Sequence, residues 1–388
     1  MNDAIDANPF RYGALALDEA FTDRSGEIEE LIADAKSGQD VVIFAPRRYG
    51  KTSLVWRVQQ ELVADGVLVA QVNLMTTPTK EKLAEKLAKA IHEEIASIVY
   101  RARERAIAVF RGLRIAPTMT VDPNDASLSF GFAAGHAPDD VDATLERLLQ
   151  LPGELGSERG RRVVLIFDEF QEIVDIDPNL PKLMRSVFQE QPEVAHLYLG
   201  SKRHMMEGIF NDENEPFWRS AKQLELQVIP PELFRDFIFE RFRATGRSIS
   251  AAAVAAILGL THGHPYATQE LCYFAWAETA HGGEAGPETV DVALAGVLRS
   301  EHAHFSLLWE GLAAGQRLLI AALAAEPGRP YREDYRRRHN LRSATAIQKA
   351  LGALTRRDIV AKRPGGEYAI AEPFLAEWIE RNLDEVAL

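Results

Sequence analysis

Gly50, Lys51 and Thr52 follow an apolar run in the stretch VVIFAPRRYGKTSLV, which begins at Val41. The stretch fits the phosphate-binding pattern G-x-x-x-x-G-K-[ST], except that Ala45 replaces the first glycine. Gly50 lets backbone N–H groups approach a β-phosphate, Lys51 would reach the β- and γ-phosphates, and the Thr52 hydroxyl would ligate Mg²⁺. The pattern predicts a nucleotide-phosphate loop with these binding residues: Ala45, Pro46, Arg47, Arg48, Tyr49, Gly50, Lys51, Thr52 and Ser53.

A pair of carboxylates follows a second apolar run, in RRVVLIFDEFQEI. Such a pair at the carboxyl end of a buried strand is costly unless it binds something positive. We therefore predict that Asp168 holds Mg²⁺ through water. Glu169 is the predicted general base, which orients a water for attack on a γ-phosphate. Glu172 and Asp175, farther along, are expected to be solvated.

Two further residues are candidates for catalysis. Ser201 ends the apolar run LYLGS, where its hydroxyl either hydrogen-bonds the attacking water or the γ-phosphate, or caps the following helix. Arg219, in EPFWRSAKQLEL, could serve as an arginine finger, in cis or for a neighbouring subunit. Position alone does not favour Arg219 over Arg203, and surface arginines usually have no such role.

Five short apolar runs predict the strands that position these residues. They begin at Val41, Val67, Val163, Leu197 and Leu224. With helices between them, the pattern indicates an α/β fold with a buried parallel sheet covered on both faces. A helix is predicted before the first strand, with Ser25 as its cap and Gly38 at its end. A mostly helical insertion at 94–160, with a hairpin in TMTVDPNDASLSFGF, interrupts the pattern.

The rest of the chain is predicted to be helical from Pro230 to about residue 300, with one break at Gly263 to Pro265. Short helices and then IVAKRPGGEYAI follow, in which Pro364-Gly365-Gly366 joins two strand-like runs. Helices followed by a hairpin predict a winged helix. The predicted domains are a core at 1–229, a helical lid domain at 230–300 and a winged-helix domain at 301–388.

The winged-helix segment is basic, although the chain carries a net charge of −13. From Arg329 to Arg363 there are eleven Lys and Arg against three acidic residues. Within it, SATAIQKALGALTRRD begins with a cap residue and has Ile347, Leu351 and Leu354 on an inward face, as a recognition helix for a DNA major groove would. The alternative is packing on another domain or on a protein partner. The predicted DNA-binding residues are Ser343, Thr345, Gln348, Lys349, Arg356, Lys362 and Arg363.

Together, these motifs resemble the archaeal and bacterial ATPase family of the signal-transduction (STAND) P-loop NTPases, relatives of AAA+ and Orc/Cdc-type proteins. The resemblance covers nearly the whole chain. It rests on FTDRSGEIEEL, APRRYGKTSL, LIFDEFQEI, LGSKRHMMEGIF, PFWRSAKQLEL and HGHPYATQEL. Ala45 and Ser25-Gly26, where the family's acidic box is denser, depart from the family pattern.

The resemblance implies a five-stranded parallel P-loop core in the order 5-1-4-3-2, a helical lid domain and a C-terminal winged helix. It implies ATP and Mg²⁺ as ligands and Arg219 as the finger arginine. It also implies that Gly263-His264-Pro265 is a lid turn, in which Pro265 touches the adenine side of the nucleotide. The sequence has no Asn-Lys-x-Asp guanine-reading motif, which disfavours a GTPase. His264 is expected to be a packing residue, because no second His or Cys lies at ligand spacing.

Composition limits the remaining classes. With 46% hydrophobic and 26% charged residues the chain has the composition of a globular protein. A single cysteine, Cys272, excludes a disulfide framework and a Cys-rich metal site. The acidic N-terminus lacks a signal pattern, and the longest apolar stretch is about half of the ~20 residues that a membrane span needs, so we expect a cytoplasmic protein without membrane association.

The sequence therefore predicts an ATP-hydrolysing switch whose nucleotide state controls binding of double-stranded DNA through the winged helix. The alternative is a signalling ATPase whose winged helix binds a protein partner or drives self-association, without nucleic-acid binding.

Overall fold

The computed structural model describes residues 7–13, 24–99, 109–110, 113, 118–121, 128–131, 138–341, 343–363 and 365–382. The chain forms two compact units. Of the described residues, the sheet unit contains those within 24–46 and 54–226, and the helical unit contains those within 7–13, 47–53 and 227–382. Within the described ranges, every helix is too short or too polar to cross a membrane.

The sheet unit alternates strands and helices, as the sequence predicts. Its elements are α1 (Ser25–Ser37), β1 (Val41–Phe44), α2 (Lys51–Ala64, whose first turn belongs to the helical unit), β2 (Leu68–Asn73), α3 (Lys80–Ala90, continued by a π-helix, Ile91–Ala96, and a turn, Ser97–Val99), β3 (Thr118–Val121), β4 (Leu128–Gly131), α4 (Pro138–Arg159), β5 (Val163–Asp168), α5 (Ile173–Ile176), α6 (Leu180–Phe188), β6 (Val194–Gly200), α7 (Arg203–Asn211) and β7 (Lys222–Glu225).

Five of these strands form one parallel sheet in the order β2-β5-β6-β1-β7, which confirms the predicted topology. Strands β1, β5 and β6 are buried along their whole length, because helices cover parallel sheets on both faces. The register pairs Asn73 with Asp168 and Phe44 with Gly200, so the carboxyl ends of β2, β5, β1 and β6 meet at one edge. The phosphate loop leaves the sheet at this edge.

Two local predictions for the sheet unit have different outcomes. The hairpin in the insertion is confirmed, since β3 and β4 pair antiparallel. The predicted N-cap of α1 is wrong, because Arg24 rather than Ser25 precedes the helix. The Arg24 guanidinium pairs with Glu27 in the first turn at 2.8 Å. Gly38 ends the helix in the left-handed conformation, as predicted.

The helical unit carries the C-terminal elements. They are α8 (Pro231–Ala244), β8 (Ser248–Ile249), α9 (Ala251–Thr261), α10 (Pro265–Ala277), β9 (Glu284–Ala285), α11 (Pro287–Glu310), α12 (Ala314–Ala325), α13 (Glu333–Arg338), α14 (Ala344–Arg356), β10 (Val360–Lys362), β11 (Tyr368–Ile370) and α15 (Pro373–Asn382). The break before Pro265 is confirmed. The prediction of helix throughout 230–300 is wrong, because β8 and β9 pair in parallel. Helix α11 runs through residue 300, and the domain boundaries stay a prediction.

The end of the helical unit has the predicted winged-helix pattern. Ser343 caps α14 by accepting a hydrogen bond from the Ala346 N–H, and the inward residues Ile347, Leu351 and Leu354 are buried. Strands β10 and β11 pair antiparallel and form the wing. One hydrophobic core joins the residues of α14 to those of α8–α12.

The turn between α9 and α10 has little space for a side chain. Gly263 has a φ of 72°, and a Cβ at this position would lie 2.4 Å from the Ile229 carbonyl oxygen. The Ile229 N–H in turn donates to the Gly263 carbonyl at 3.0 Å. Glycine is therefore required here by both conformation and space.

Replacing Gly263 with alanine should destabilise the chain by about 1–3 kcal/mol, because the residue would be strained and would push Ile229 away. The measurement is urea unfolding of the full chain followed by tryptophan emission. Gly259→Ala is the matched control. It lies in α9 with open space around its Cβ position, and should leave stability unchanged or raise it by about 0.5–1 kcal/mol. Equal unfolding midpoints for Gly263→Ala and the wild type would contradict this account of the turn.

Candidate functional site

Asp168 ends β5 beside Asn73, the last residue of β2. The Asn73 side-chain amide donates to Asp168 Oδ2 at 3.0 Å, and the Glu169 N–H donates to Asp168 Oδ1 at 3.0 Å. The carboxylate is buried and held in place by these two donors. Sequence reasoning did not identify Asn73. In the sequence, Asn73 is a polar residue at the end of an apolar run. Its contact with Asp168 can be inferred only if β2 is known to be the neighbour of β5.

Glu169 follows in the left-handed conformation, with a φ of 54°. This conformation costs a residue with a side chain about 1–2 kcal/mol, and such strain is concentrated at functional sites. The Glu169 carboxylate accepts hydrogen bonds from the Ser201 hydroxyl at 2.7 Å and from the Gln171 side-chain amide. Sequence reasoning did not identify Gln171 as a partner. The predicted residues Glu169 and Ser201 are thus brought together at the edge of the sheet.

The alternative role of Ser201 as a helix cap is wrong. Helix α7 begins at Arg203, its capping residue is Lys202, and Lys202 makes no capping hydrogen bond through its side chain. The expectation that Glu172 is solvated is wrong as well, because Glu172 pairs with Lys202 at 2.8 Å and is half-buried. Asp175 is exposed, as expected.

The two candidate arginines differ in their surroundings. Arg203 is exposed and forms ion pairs with Glu207 at 2.9 Å and with Glu225. Arg219 is also exposed, but no ion pair within the described ranges uses it. Its φ is 51°, and its guanidinium carbon lies 5.2 Å from the centroid of the exposed Trp218 ring. The structure therefore distinguishes Arg219 from Arg203, and the finger role of Arg219 stays a prediction.

The phosphate-loop residues Arg47–Ser53 belong to the helical unit. Gly50 has a φ of 81°, and nothing lies within 4 Å of the position that its Cβ would take. Lys51, which is buried, is the first residue of α2, and the exposed Thr52 follows it. Backbone N–H groups at the start of a helix attract anions. The loop thus presents the predicted Gly-Lys-Thr at a helix N-terminus.

The lid turn packs against this loop inside the helical unit. The rings of Tyr49 and His264 meet edge to face with their centroids 4.9 Å apart. His264 caps α10, where its Nδ1 accepts from the Ala267 N–H, and Pro265 is the first helical residue. Burial and the charge of Arg48 lower the pKa of His264 to about 4, so its imidazole is neutral. The predicted packing role of His264 is confirmed.

Arg48 is surrounded by acidic and aromatic side chains. Its guanidinium lies 3.1 Å from the Glu372 carboxylate and 4.3 Å from the centroid of the Tyr266 ring. Glu270, on α10, is completely buried, and neither carboxylate oxygen has a hydrogen-bond partner in the described part of the chain. Burial, together with the charges of Glu301 and Glu372, raises the pKa of Glu270 to about 8.

The predicted DNA-binding residues lie on one module and are exposed. Part of the nearby positive charge is neutralised, since Arg337 pairs with Glu333 and Arg338 pairs with Glu326. A second set of side chains takes part in none of the ion pairs found among the described residues. This set is Lys349, Arg356, Lys362 and Arg363. DNA contact by these residues stays a prediction.

Comparisons with known proteins agree with this architecture. A family model described as an ATPase domain predominantly from Archaea matches residues 21–271, and a model described as a probable winged helix domain matches residues 303–381. No curated protein matches the chain. The solved Walker-type ATPase PABY2304 of Pyrococcus abyssi is similar over 94% of this chain and 97% of that chain, with 15% identity and a TM-score of 0.63.

A second solved structure, the ORC2 protein of Aeropyrum pernix in its ADPNP-ADP complexes, is also similar. It covers 97% of this chain and 98% of its own length, with 18% identity and a TM-score of 0.54. At these identities the two likenesses support the fold alone.

The buried Glu270 predicts a pH-dependent stability. Its pKa in the folded chain, about 8, exceeds the usual value of 4.5, so folding favours the protonated carboxyl. Its contribution to stability is therefore complete below about pH 4.5 and is lost progressively as the pH rises from there to about 8. Glu270→Gln, which cannot ionise, should raise the thermal midpoint relative to the wild type at pH 9 and have a smaller effect at pH 6. Glu278→Gln, at the exposed end of the same helix, is the control. Parallel pH profiles for Glu270→Gln and the wild type would contradict the assignment.

Proposed function

We propose that this chain, which belongs to the family of ATPase domains predominantly from Archaea, binds ATP at its phosphate loop and hydrolyses it to ADP and phosphate. One observation carries the proposal. Asp168, Glu169 and Ser201 converge at the same edge of the parallel sheet at which the phosphate loop leaves β1. Ligand sites in open α/β sheets lie at this carboxyl edge.

Glu169 is the general base in this proposal. Its carboxylate takes a proton from a water whose oxygen attacks the γ-phosphorus, while the bond from that phosphorus to the ADP oxygen breaks. The hydrogen bonds from Ser201 and Gln171 fix the orientation of the carboxylate. Lys51 binds the β- and γ-phosphates, and Arg219 stabilises the charge that develops on the γ-phosphate, in cis or from a neighbouring subunit. Pro265 contacts the adenine side.

The residues present fit a magnesium ion. The Asp168 carboxylate and the Thr52 hydroxyl are hard oxygen ligands of the kind that Mg²⁺ prefers, and Asn73 holds the carboxylate in place. These two residues would hold the ion, which when bound neutralises charge on the phosphates.

The output that we propose is binding of double-stranded DNA by the winged helix, controlled by the nucleotide state. The support is the exposed cations on α14 and the wing, which pair with no acid in the described part of the chain and lie where winged helices contact DNA. If about five cations contact DNA phosphates, the logarithm of the DNA-binding constant should fall with the logarithm of the salt concentration with a slope of roughly −4 to −5. This charge is local, because the chain as a whole is acidic.

The catalytic assignment predicts two different defects. Lys51→Ala should abolish ATP binding, because the loop loses its charge at the phosphates. Glu169→Gln should bind ATP but hydrolyse it at least ~10²-fold more slowly, because the general base is lost. Fluorescent ATP titration and phosphate release measure the two steps. Asp175→Asn, an exposed carboxylate beyond the same strand, is the control and should retain turnover. Hydrolysis at the wild-type rate by Glu169→Gln would refute the assigned base.

The proposed binding of DNA by the winged helix should depend on the salt concentration. Fluorescent duplex DNA is titrated with the Glu169→Gln chain, with and without ATP and Mg²⁺, across a salt series. Binding should strengthen at low salt and change with ATP. It should be lost when Lys349, Arg356 and Arg363 are replaced together by glutamate.

A control with the same charge change replaces three exposed arginines elsewhere in the helical unit, Arg235, Arg243 and Arg299, with glutamate. This control should keep most of the affinity. Absence of DNA binding at every salt concentration, with ATP-dependent self-association in light scattering, would reject the DNA output and favour the signalling alternative.

A further inference from the structure

Arg48 has an unfavourable backbone conformation in the middle of the phosphate loop. Its φ is 68°, in the left-handed region that residues with a side chain rarely adopt. Such strain persists only where the surrounding structure holds the residue in place, and it is concentrated at switches and ligand-binding loops. The contacts of the Arg48 side chain are therefore informative about how the loop is held.

Those contacts come from the winged helix and the lid. Glu372 Oε2 lies 3.1 Å from the Arg48 guanidinium, and the exposed fractions of the two side chains are 22% and 36%. Tyr266 of α10 lies under the guanidinium at 4.3 Å, a cation–π distance. A partly buried ion pair with a stacked arginine is stronger than an exposed pair on the surface.

The backbone beside Glu372 is hydrogen-bonded to the wing. The residue lies between the end of β11 at Ile370 and the start of α15 at Pro373. The N–H of the preceding residue, Ala371, donates to the Ile359 carbonyl at 2.9 Å, which extends the pairing of the wing. Glu372 therefore lies at the junction of the wing with α15.

The surroundings of Arg48 are acidic overall. Besides Glu372, the charge of Glu301 acts on the guanidinium, whereas Glu270, whose pKa is about 8, is mostly protonated near neutral pH. A nucleotide phosphate that enters the loop is also an anion, and it would be attracted by Arg48 and repelled by Glu372. A phosphate at this guanidinium and the Glu372 carboxylate would therefore repel each other, so each would weaken the contact of the other with Arg48.

We propose that Glu372 is a positioning residue whose ion pair with Arg48 holds the phosphate loop, and we call this ion pair the latch. The Glu372 carboxylate and the phosphates of ATP compete for the Arg48 guanidinium. ATP binding then weakens the latch and releases the junction of the wing with α15. By linkage, removal of the latch strengthens ATP binding. The inference rests on ATP binding at the loop and does not depend on DNA binding.

The test is the affinity of the full chain for a fluorescent ATP analogue, mant-ATP, in the presence of Mg²⁺. Glu372→Gln should bind it about five-fold or more tightly than the wild type, because the competing charge is gone. Glu372→Asp, which keeps the charge, should shift the affinity back toward the wild-type value. In an Arg48→Ala background, Glu372→Gln should change the affinity for mant-ATP by less than about two-fold, because Glu372 affects ATP binding only through its ion pair with Arg48.

Glu377→Gln is the matched control, since Glu377 lies on α15, five residues after Glu372, and pairs locally with Arg381 at 3.7 Å. It should bind mant-ATP as the wild type does. Equal affinities for Glu372→Gln and the wild type, or the same gain with and without Arg48, would overturn the latch and leave ATP binding intact. Failure of the wild type itself to bind mant-ATP would instead reject the proposed function, and the latch with it.

A second readout separates the latch from a purely structural role. Hydrogen exchange at the junction residues 371–378 should accelerate in the wild type when mant-ATP is added, and should already be fast in Glu372→Gln without it. A structural role alone would lower the unfolding midpoint of Glu372→Gln without changing its affinity for mant-ATP, and that result would contradict the proposal.

Discussion

The parallel pairing of β5 with β2 and β6 is the constraint on which the catalytic edge depends. The register pairs Asn73 with Asp168, and the pairing of β5 with β6 continues to Phe167 and Tyr198. A shift of one residue would turn every side chain of β5 to the opposite face. All six residues of β5 are buried, so a shifted strand would place its large side chains against different neighbours in a close-packed core. The position of Asp168 at the edge of the sheet is therefore fixed by packing of residues that have no chemical role.

Backbone strain is found at some of the predicted site residues. Of the six non-glycine residues with positive φ in the described ranges, Arg48, Glu169 and Arg219 were selected from the sequence as site residues, whereas His262, Asn340 and Asp358 were not. In an ordinary turn, selection would favour glycine at such positions, because glycine adopts this conformation without cost. Here the side chain is retained despite a cost of about 1–2 kcal/mol. Strain on a charged residue does not by itself identify a functional site, since Asp358 is strained as well, but at Glu169 it coincides with a carboxylate that is hydrogen-bonded to Ser201.

Local patterns in the sequence were sufficient for the strands, the phosphate loop and the wing. Each of these features is determined by residues adjacent in sequence, so an apolar run or a Gly-Lys-Thr can be recognised without knowledge of the fold. The strand order was implied only by the family resemblance, and the role of Asn73 depends on that order. The two-residue strands β8 and β9 are too short to produce a periodic pattern. The contact between Arg48 and Glu372 joins residues 324 positions apart, and no pattern along the chain indicates it.

Charge counted along the sequence was a poor guide to charge available on the surface. Eleven basic residues lie between Arg329 and Arg363, but the arginines of α13 largely pair with acids on the same helix or with Glu326. The acid in each of these ion pairs cancels part of the charge of its arginine, which reduces the positive potential of this helix. The cations that stay available lie on α14 and on the wing. Any electrostatic attraction of this module for a polyanion therefore depends on four or five side chains, held by one helix and one hairpin, rather than on the whole basic segment.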